Sequence, residues 1–217
     1  MFDSATARRM MVDGQVRTAD VHNPDLIAAM LAVPREHFVP PRLAAQAYVD
    51  SDLEIAKGRV ILKPMVLAKL LQAAQLQGDQ QVLDVGCGFG YSSAIMARLV
   101  GSVVALEEDA QLASQAKEAL AQNGAGNVTV VTGPLAAGWP AAAPYDVILL
   151  NGASEIAPEA LGRQLKPGGR LAGIFGRPPA AKATIFRPVE GHLAGRPIFD
   201  AAAPLLPGFV APPAFVF

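Results

Sequence analysis

The chain has 217 residues, of which 52% are hydrophobic and 17% charged, with a net charge of −1. That length fits one domain with a substantial core, and that composition excludes a disordered chain. The near-neutral balance gives no bulk attraction to nucleic acid. Arg8, Arg9 and Arg17 read as a solvated face rather than a binding patch. A single cysteine, Cys87, excludes an internal disulfide, and the widely spaced His22, His37 and His192 form no metal motif. No apolar run is long enough to span a bilayer, and charges at Asp3, Arg8, Arg9, Asp13 and Arg17 interrupt any leader-like core. The expectation is a cytoplasmic protein with neither membrane nor nucleic-acid partner; the sequence leaves its oligomeric state open.

Residues 1–50 are helical in pattern. Asn23 followed by Pro24 suits a helix start, and Leu26, Ile27, Met30 and Leu31 recur at helical spacing. The prolines at 34 and 40 close that helix. Residues 51–63 read as irregular. Pro64 opens a helix through Leu76, offering Met65, Leu67, Ala68, Leu71 and Leu76 for burial. From residue 80, strand and helix alternate: 80–85, 91–100, 102–107, 110–123, 127–132, 145–150, 155–166 and 169–176. Such alternation predicts a doubly wound, mostly parallel sheet covered by helices on both faces. Residues 133–144, dominated by Ala, Pro and Gly, read as a loop. Thr184 to Val189 and Arg196 to Phe199 flank Glu190-Gly191-His192, which predicts an antiparallel C-terminal hairpin at the sheet edge. Phe209, Phe215 and Phe217 are expected to pin the tail. The organisation expected is an N-terminal helical extension over residues 1–78, packed on an α/β core over 79–217, as one domain.

Residues 82–91 read Val-Leu-Asp-Val-Gly-Cys-Gly-Phe-Gly-Tyr. An apolar strand followed by a glycine turn and a helix places a ligand at the carboxyl end of a sheet strand. Glycines at every second position differ from the dinucleotide spacing G-x-G-x-x-G, and no Gly-Lys-Ser/Thr follows, so a P-loop is excluded. Glu107 ends the next strand, 17 residues beyond Gly90. A carboxylate at that place accepts from both hydroxyls of an unphosphorylated ribose. Glu108 and Asp109 suit a first helical turn, with Glu108 on the surface. Cys87 reads as a small residue fitting the tight turn rather than a reactive thiol.

These segments, with Pro144-Tyr145-Asp146-Val147-Ile148-Leu149-Leu150 and Leu165-Lys166-Pro167-Gly168-Gly169-Arg170-Leu171, resemble the class I S-adenosylmethionine-dependent methyltransferases. Val33-Pro34-Arg35-Glu36-His37-Phe38-Val39-Pro40, followed by Ala47-Tyr48, narrows the resemblance to the protein-L-isoaspartate O-methyltransferases. Glu155-Ile156-Ala157-Pro158 also fits that family. The resemblance implies S-adenosyl-L-methionine as cofactor. It would be held by Asp84, Gly86, Cys87, Gly88, Gly90, Tyr91 and Glu107, with Pro134, Leu135 and Asn151 contributing further wall. The implied reaction methylates the free carboxylate of an isoaspartyl residue in a damaged protein, and the ester then collapses to a succinimide. Such a carboxylate has a pKa of roughly 4 and is ionised near neutral pH, so no general base is required.

Two departures concern the acceptor and the adenine. The family usually carries Gly-Gln-Thr-Ile-Ser before the proline; here Gly58-Arg59-Val60-Ile61-Leu62-Lys63 stands there. Val60 and Leu62 donate no hydrogen bond. Arg59 or Lys63 could attract a carboxylate in their stead, or face solvent. The family's Gly-Asp-Gly after the third strand is Gly133-Pro134-Leu135, without a side-chain acceptor for the adenine amino group. No catalytic residue is assigned; Arg59, Val60, Leu62 and Lys63 are the acceptor-pocket candidates. Three readings stand: the isoaspartyl methyltransferase, a methyltransferase of the same fold acting on a less polar small molecule, and a non-catalytic cofactor-binding protein.

Overall fold

The protein is described by a computed structural model covering residues 3–212. Phe215 and Phe217 lie outside the described residues. The N-terminal part is helical, as its pattern predicts. Helix α1 (Ser4–Met11) is capped by Asp3, whose carboxylate accepts from the Ala5 and Thr6 amides. Helix α2 (Pro24–Ala32) is capped by Asn23, which accepts from the Leu26 amide. Residues 51–63, expected to be irregular, instead form a small antiparallel hairpin of β1 (Leu53–Ala56) and β2 (Arg59–Ile61). Gly58, at φ 68°, makes its turn. Helix α3 (Pro64–Ala74) follows and stops two residues short of expectation, where Gln75 turns left-handed.

The remaining strands form one seven-stranded sheet. They are β3 (Gln81–Val85), β4 (Ser102–Glu107), β5 (Val128–Thr132), β6 (Tyr145–Ser154), β7 (Leu165–Phe175), β8 (Lys182–Val189) and β9 (His192–Asp200), in the spatial order β5-β4-β3-β6-β7-β8-β9. β3 to β7 are parallel, and β8 and β9 add the antiparallel edge hairpin. Helices α4 (Tyr91–Met96) and α5 (Ala110–Gln122) make the first crossovers. The helix expected over 155–166 is only the single turn α6 (Glu159–Gly162), because β6 runs on through Ser154 and Pro158 delays the helix start.

The period of two along each strand sorts side chains between two cores. Val82, Val103, Ala105, Val147 and Leu149 face one core, shared with Met11, Met30 and Phe38 of the N-terminal region and Leu112 and Leu120 of α5. Leu83, Val85, Val104, Leu106, Ile148 and Leu150 face the other, closed by Leu135, Leu161, Leu206 and Phe209. The second face is therefore covered by α6, two short 3-10 turns, loops and the C-terminal segment rather than by a helical layer. The strand order reverses at β3, between β4 on one side and β6 on the other. That is the place where doubly wound sheets open a crevice at their carboxyl ends.

Candidate active site

The crevice is built by the turn after β3. Gly86, Gly88 and Gly90 all have positive φ, at 77°, 57° and 91°. The Gly86 and Cys87 amides donate to the Leu106 carbonyl at 2.9 and 3.2 Å, clipping the turn to the end of β4. These glycines also permit close approach: a Cβ on Gly88 would stand 2.6 Å from Ile55 Cδ1. A Cβ on Gly86 would meet Arg59 Nη2 at 3.1 Å and Leu206 Cδ2 at 3.2 Å. The neighbours that use the missing side chains are thus the β1–β2 hairpin and the C-terminal segment.

Asp84, in β3, is fully buried. Ser92 Oγ and Ser93 Oγ donate to its Oδ2 at 2.7 and 2.5 Å, and Asn151 Nδ2 donates to its Oδ1. Asn151 Nδ2 also reaches Ser92 Oγ at 2.8 Å, so β3, α4 and β6 are tied together by one polar network. Burial pushes the Asp84 carboxyl up to about 6, against the lowering effect of its hydroxyl donors. Burial, aided by the neighbouring carboxylates of Asp84 and Glu107, also raises the Cys87 thiol well above its ordinary value. Cys87 is therefore a packed thiol and not an activated nucleophile.

Glu107 ends β4 fully buried. Its Oε2 accepts from the Gly88 amide at 2.8 Å, and its Oε1 from the Glu108 and Asp109 amides at 2.9 and 3.2 Å. Its remaining face is taken by Arg59. Nη1 donates to Oε1 at 2.6 Å and Nη2 to Oε2 at 2.7 Å, with only 8% of the arginine side chain exposed. Arg59 therefore does not point an unused charge at an acceptor, as one reading of the sequence allowed; it is paired with the ribose candidate itself.

Val60 and Leu62 line the same cavity as Phe38, Gly86, Cys87, Phe89, Tyr91, Ser92 and Asn151, and that cavity holds only about 10 Å³. Lys63 lies apart from it: its amide donates to Asp52 Oδ1 at 2.7 Å, and it precedes α3. Leu135 is buried in the second core, whereas Pro134 is exposed. The Pro-Arg-Glu-His-Phe motif acts through packing. Arg35 is wholly buried; its Nε donates to the Ala47 carbonyl at 2.7 Å and its Nη2 to the Leu62 carbonyl at 2.9 Å. Its guanidinium lies 4.8 Å from the Tyr91 ring centroid, and Phe38 stacks tilted on that ring at 5.8 Å. The motif thus ties the segment ending at Leu62 to Tyr91, the residue that follows the glycine turn. Sequence reasoning missed Ser92, Ser93, Ile55 and Leu206. The two serines in the first turn of α4 were the available signal, since hydroxyls at a helix start opposite a buried strand carboxylate have little else to bond.

The family model for protein-L-isoaspartate(D-aspartate) O-methyltransferase matches residues 7–176, spanning both the Arg35 motif and the Glu107 crevice. The chain belongs to this family. It is 40% identical over 181 residues to protein-L-isoaspartate O-methyltransferase 1 of Rhodopseudomonas palustris (strain HaA2), covering 83% of this chain and 74% of that one. It is 37% identical to the protein-L-isoaspartate O-methyltransferase of Ignicoccus hospitalis over 92% of this chain and 94% of the relative. Among solved structures, a protein-L-isoaspartate O-methyltransferase superposes with a TM-score of 0.79 at 25% identity, covering 95% of this chain and 66% of that one. A Plasmodium falciparum structure of the same description, in complex with S-adenosyl-L-homocysteine, shares the fold at a TM-score of 0.80 and 18% identity, covering 95% and 99%. Family membership extends over the region where the chain departs from the usual acceptor motif, at Arg59, Val60 and Leu62. Among the described residues no helix is long and apolar enough to cross a membrane.

Proposed function

We propose that this chain transfers a methyl group from S-adenosyl-L-methionine to the free carboxylate of isoaspartyl residues in damaged proteins. The observation that carries this reading is the shared cavity in which Val60 and Leu62, at the family's acceptor positions, face Gly86, Cys87 and Asn151 of the crevice. The donor set suits the cofactor: Glu107 for a vicinal diol, three backbone amides fixing that carboxylate, and the buried Asp84 carboxylate behind the glycine turn. When bound, S-adenosyl-L-methionine supplies a methyl carbon already activated on a positively charged sulfonium. The chain's own task is alignment and exclusion of water, because the acceptor carboxylate arrives ionised. Phe38, Val60, Leu62 and Phe89 make the acceptor side apolar. Without hydroxyls at positions 60 and 62 the acceptor carboxylate forgoes hydrogen bonds worth on the order of 1–3 kcal/mol.

The consequence is a weakly held acceptor and a raised KM. Labelled methyl transfer from S-adenosyl-L-methionine to an isoaspartyl peptide, with the aspartyl isomer as control, tests it. Base-labile label on the isoaspartyl peptide alone is expected. Binding of S-adenosyl-L-homocysteine without any labelled ester, even at millimolar peptide, would remove this activity. The Val60→Thr, Leu62→Ser double variant is expected to lower KM roughly tenfold or more, since 1.4 kcal/mol is a factor of ten.

A further inference from the structure

A guanidinium and a vicinal diol present the same thing to a carboxylate: two parallel donors aimed at its two oxygens. Arg59 makes that pattern on Glu107, at 2.6 and 2.7 Å, while the amides of Gly88, Glu108 and Asp109 hold the carboxylate from its other sides. A diol cannot share that face while the guanidinium holds it. The pair is almost fully buried, and the guanidinium lies against Gly86, in the space the glycine leaves free.

Arg59 is also placed to leave. It opens β2 in a hairpin that forms its own two-stranded sheet, separate from the seven-stranded one. Beside it is an open cavity of about 430 Å³, lined by Lys57, Arg59, Glu108, Asp109, Leu206 and Val210 among others. Glu108 and Asp109 on that wall are exposed carboxylates within one or two residues of Glu107. A guanidinium rotated off Glu107 would therefore pass into solvent beside two acids rather than into apolar core.

We propose that Arg59 is an internal competitor for the ribose: cofactor binding exchanges the Arg59 fork for the ribose diol on Glu107 and displaces the β1–β2 hairpin. This rests on the cofactor reading above. Because Val60 adjoins Arg59 and Leu62 follows, the exchange also widens the 10 Å³ cavity on the acceptor side. The acceptor pocket opens only once the cofactor is in place, so substrates bind in order, cofactor first. Arg59 is a positioning residue in this scheme and touches no reacting atom.

Calorimetric titration of S-adenosyl-L-homocysteine into the full chain and its Arg59→Ala and Arg59→Gln variants tests the exchange. A state that is competent about one tenth of the time weakens apparent affinity about tenfold. Both variants are expected to bind roughly tenfold or more tightly than the unaltered chain, with Arg59→Lys in between because an ammonium lacks the fork. Glu107 keeps three amide donors in each variant, and near-UV circular dichroism checks the fold. Equal or weaker binding by folded variants, with the unaltered chain binding, overturns the proposal and leaves the cofactor reading standing. No binding by any of the proteins overturns both. A crystal structure of the unaltered chain with S-adenosyl-L-homocysteine tests the exchange without any variant. Arg59 is expected off Glu107, and an intact ion pair beside bound ligand overturns the exchange.

Discussion

Asp84 shows how one residue's surroundings set a measurable property. An unfolded aspartate ionises near 3.8, whereas burial in β3 holds this one protonated until about pH 6. Between those values Asp84 binds more protons in the folded chain than in the unfolded one, so its own contribution to stability falls as pH rises. The penalty is absent below about pH 4 and constant above about pH 6. A shift of that size corresponds to about 3 kcal/mol. Urea unfolding of the unaltered chain and of Asp84→Asn, at pH values from 4 to 7, isolates it. The stability difference, unaltered minus variant, is expected to fall across pH 4–6 and then level off; a flat difference contradicts the burial account. The acid itself was legible, because a carboxylate inside an apolar strand before alternating glycines stands out. Glu107 was legible for the same reason, as the acid ending the next strand. The partner of Glu107 was not. Arg59 lies 48 residues earlier, and nothing local distinguishes a charge that will be buried from one that will face water.

At the scale of elements, the parallel strands were legible because each contains a short, mostly apolar run bounded by polar, Gly or Pro residues. What escaped were elements decided by contacts distant in sequence. Hairpin β1–β2 has only a few residues in each strand, too short for alternation to declare itself, and Lys57-Gly58 is a weak turn signal. The helix expected over 155–166 is cut to one turn. Glycine at 162 leaves room there for Leu193 of β9, whose Cδ1 would clash with a Cβ at that position. The C-terminal segment is held in the same way. The Ala153 amide donates to the Pro204 carbonyl and the Leu206 amide to the Ala153 carbonyl, both at 2.9 Å, so the segment continues the pairing of β6. A Cβ on Gly152 would stand 2.6 Å from Leu206 Cγ and 3.2 Å from the Pro204 carbonyl oxygen. Gly152→Ala is therefore expected to cost about 1–3 kcal/mol through overpacking. Leu206→Ala alone costs about 2–5 kcal/mol by leaving a cavity. The two together are expected to cost less than their sum, because the smaller side chain relieves the clash. Additive losses in a double-mutant cycle would show that Gly152 does not seat the tail.

For the whole molecule, the sheet divides the apolar interior into two cores, and the N-terminal region belongs to the first of them. Met11, Met30 and Phe38 join Val82, Val103 and Val147 there, so the helical extension is part of the sheet's own packing. Arg35 closes that connection by bonding the carbonyls of Ala47 and Leu62 from one buried guanidinium. Arg35→Ala strands both carbonyls and opens a cavity over Tyr91, at a cost on the order of 3 kcal/mol. If the extension and the α/β core fold as one unit, that loss is felt everywhere. Trp139, packed against the second core on the opposite face of the sheet, is a remote reporter. Urea unfolding followed by Trp139 fluorescence and by far-UV circular dichroism should give coincident single transitions, both moved to lower urea by the same amount in Arg35→Ala. A fluorescence midpoint that stays in place while the dichroism splits into two steps would mean that residues 1–78 unfold separately. The β1–β2 hairpin carrying Arg59 would then be attached to a unit that can leave the crevice on its own.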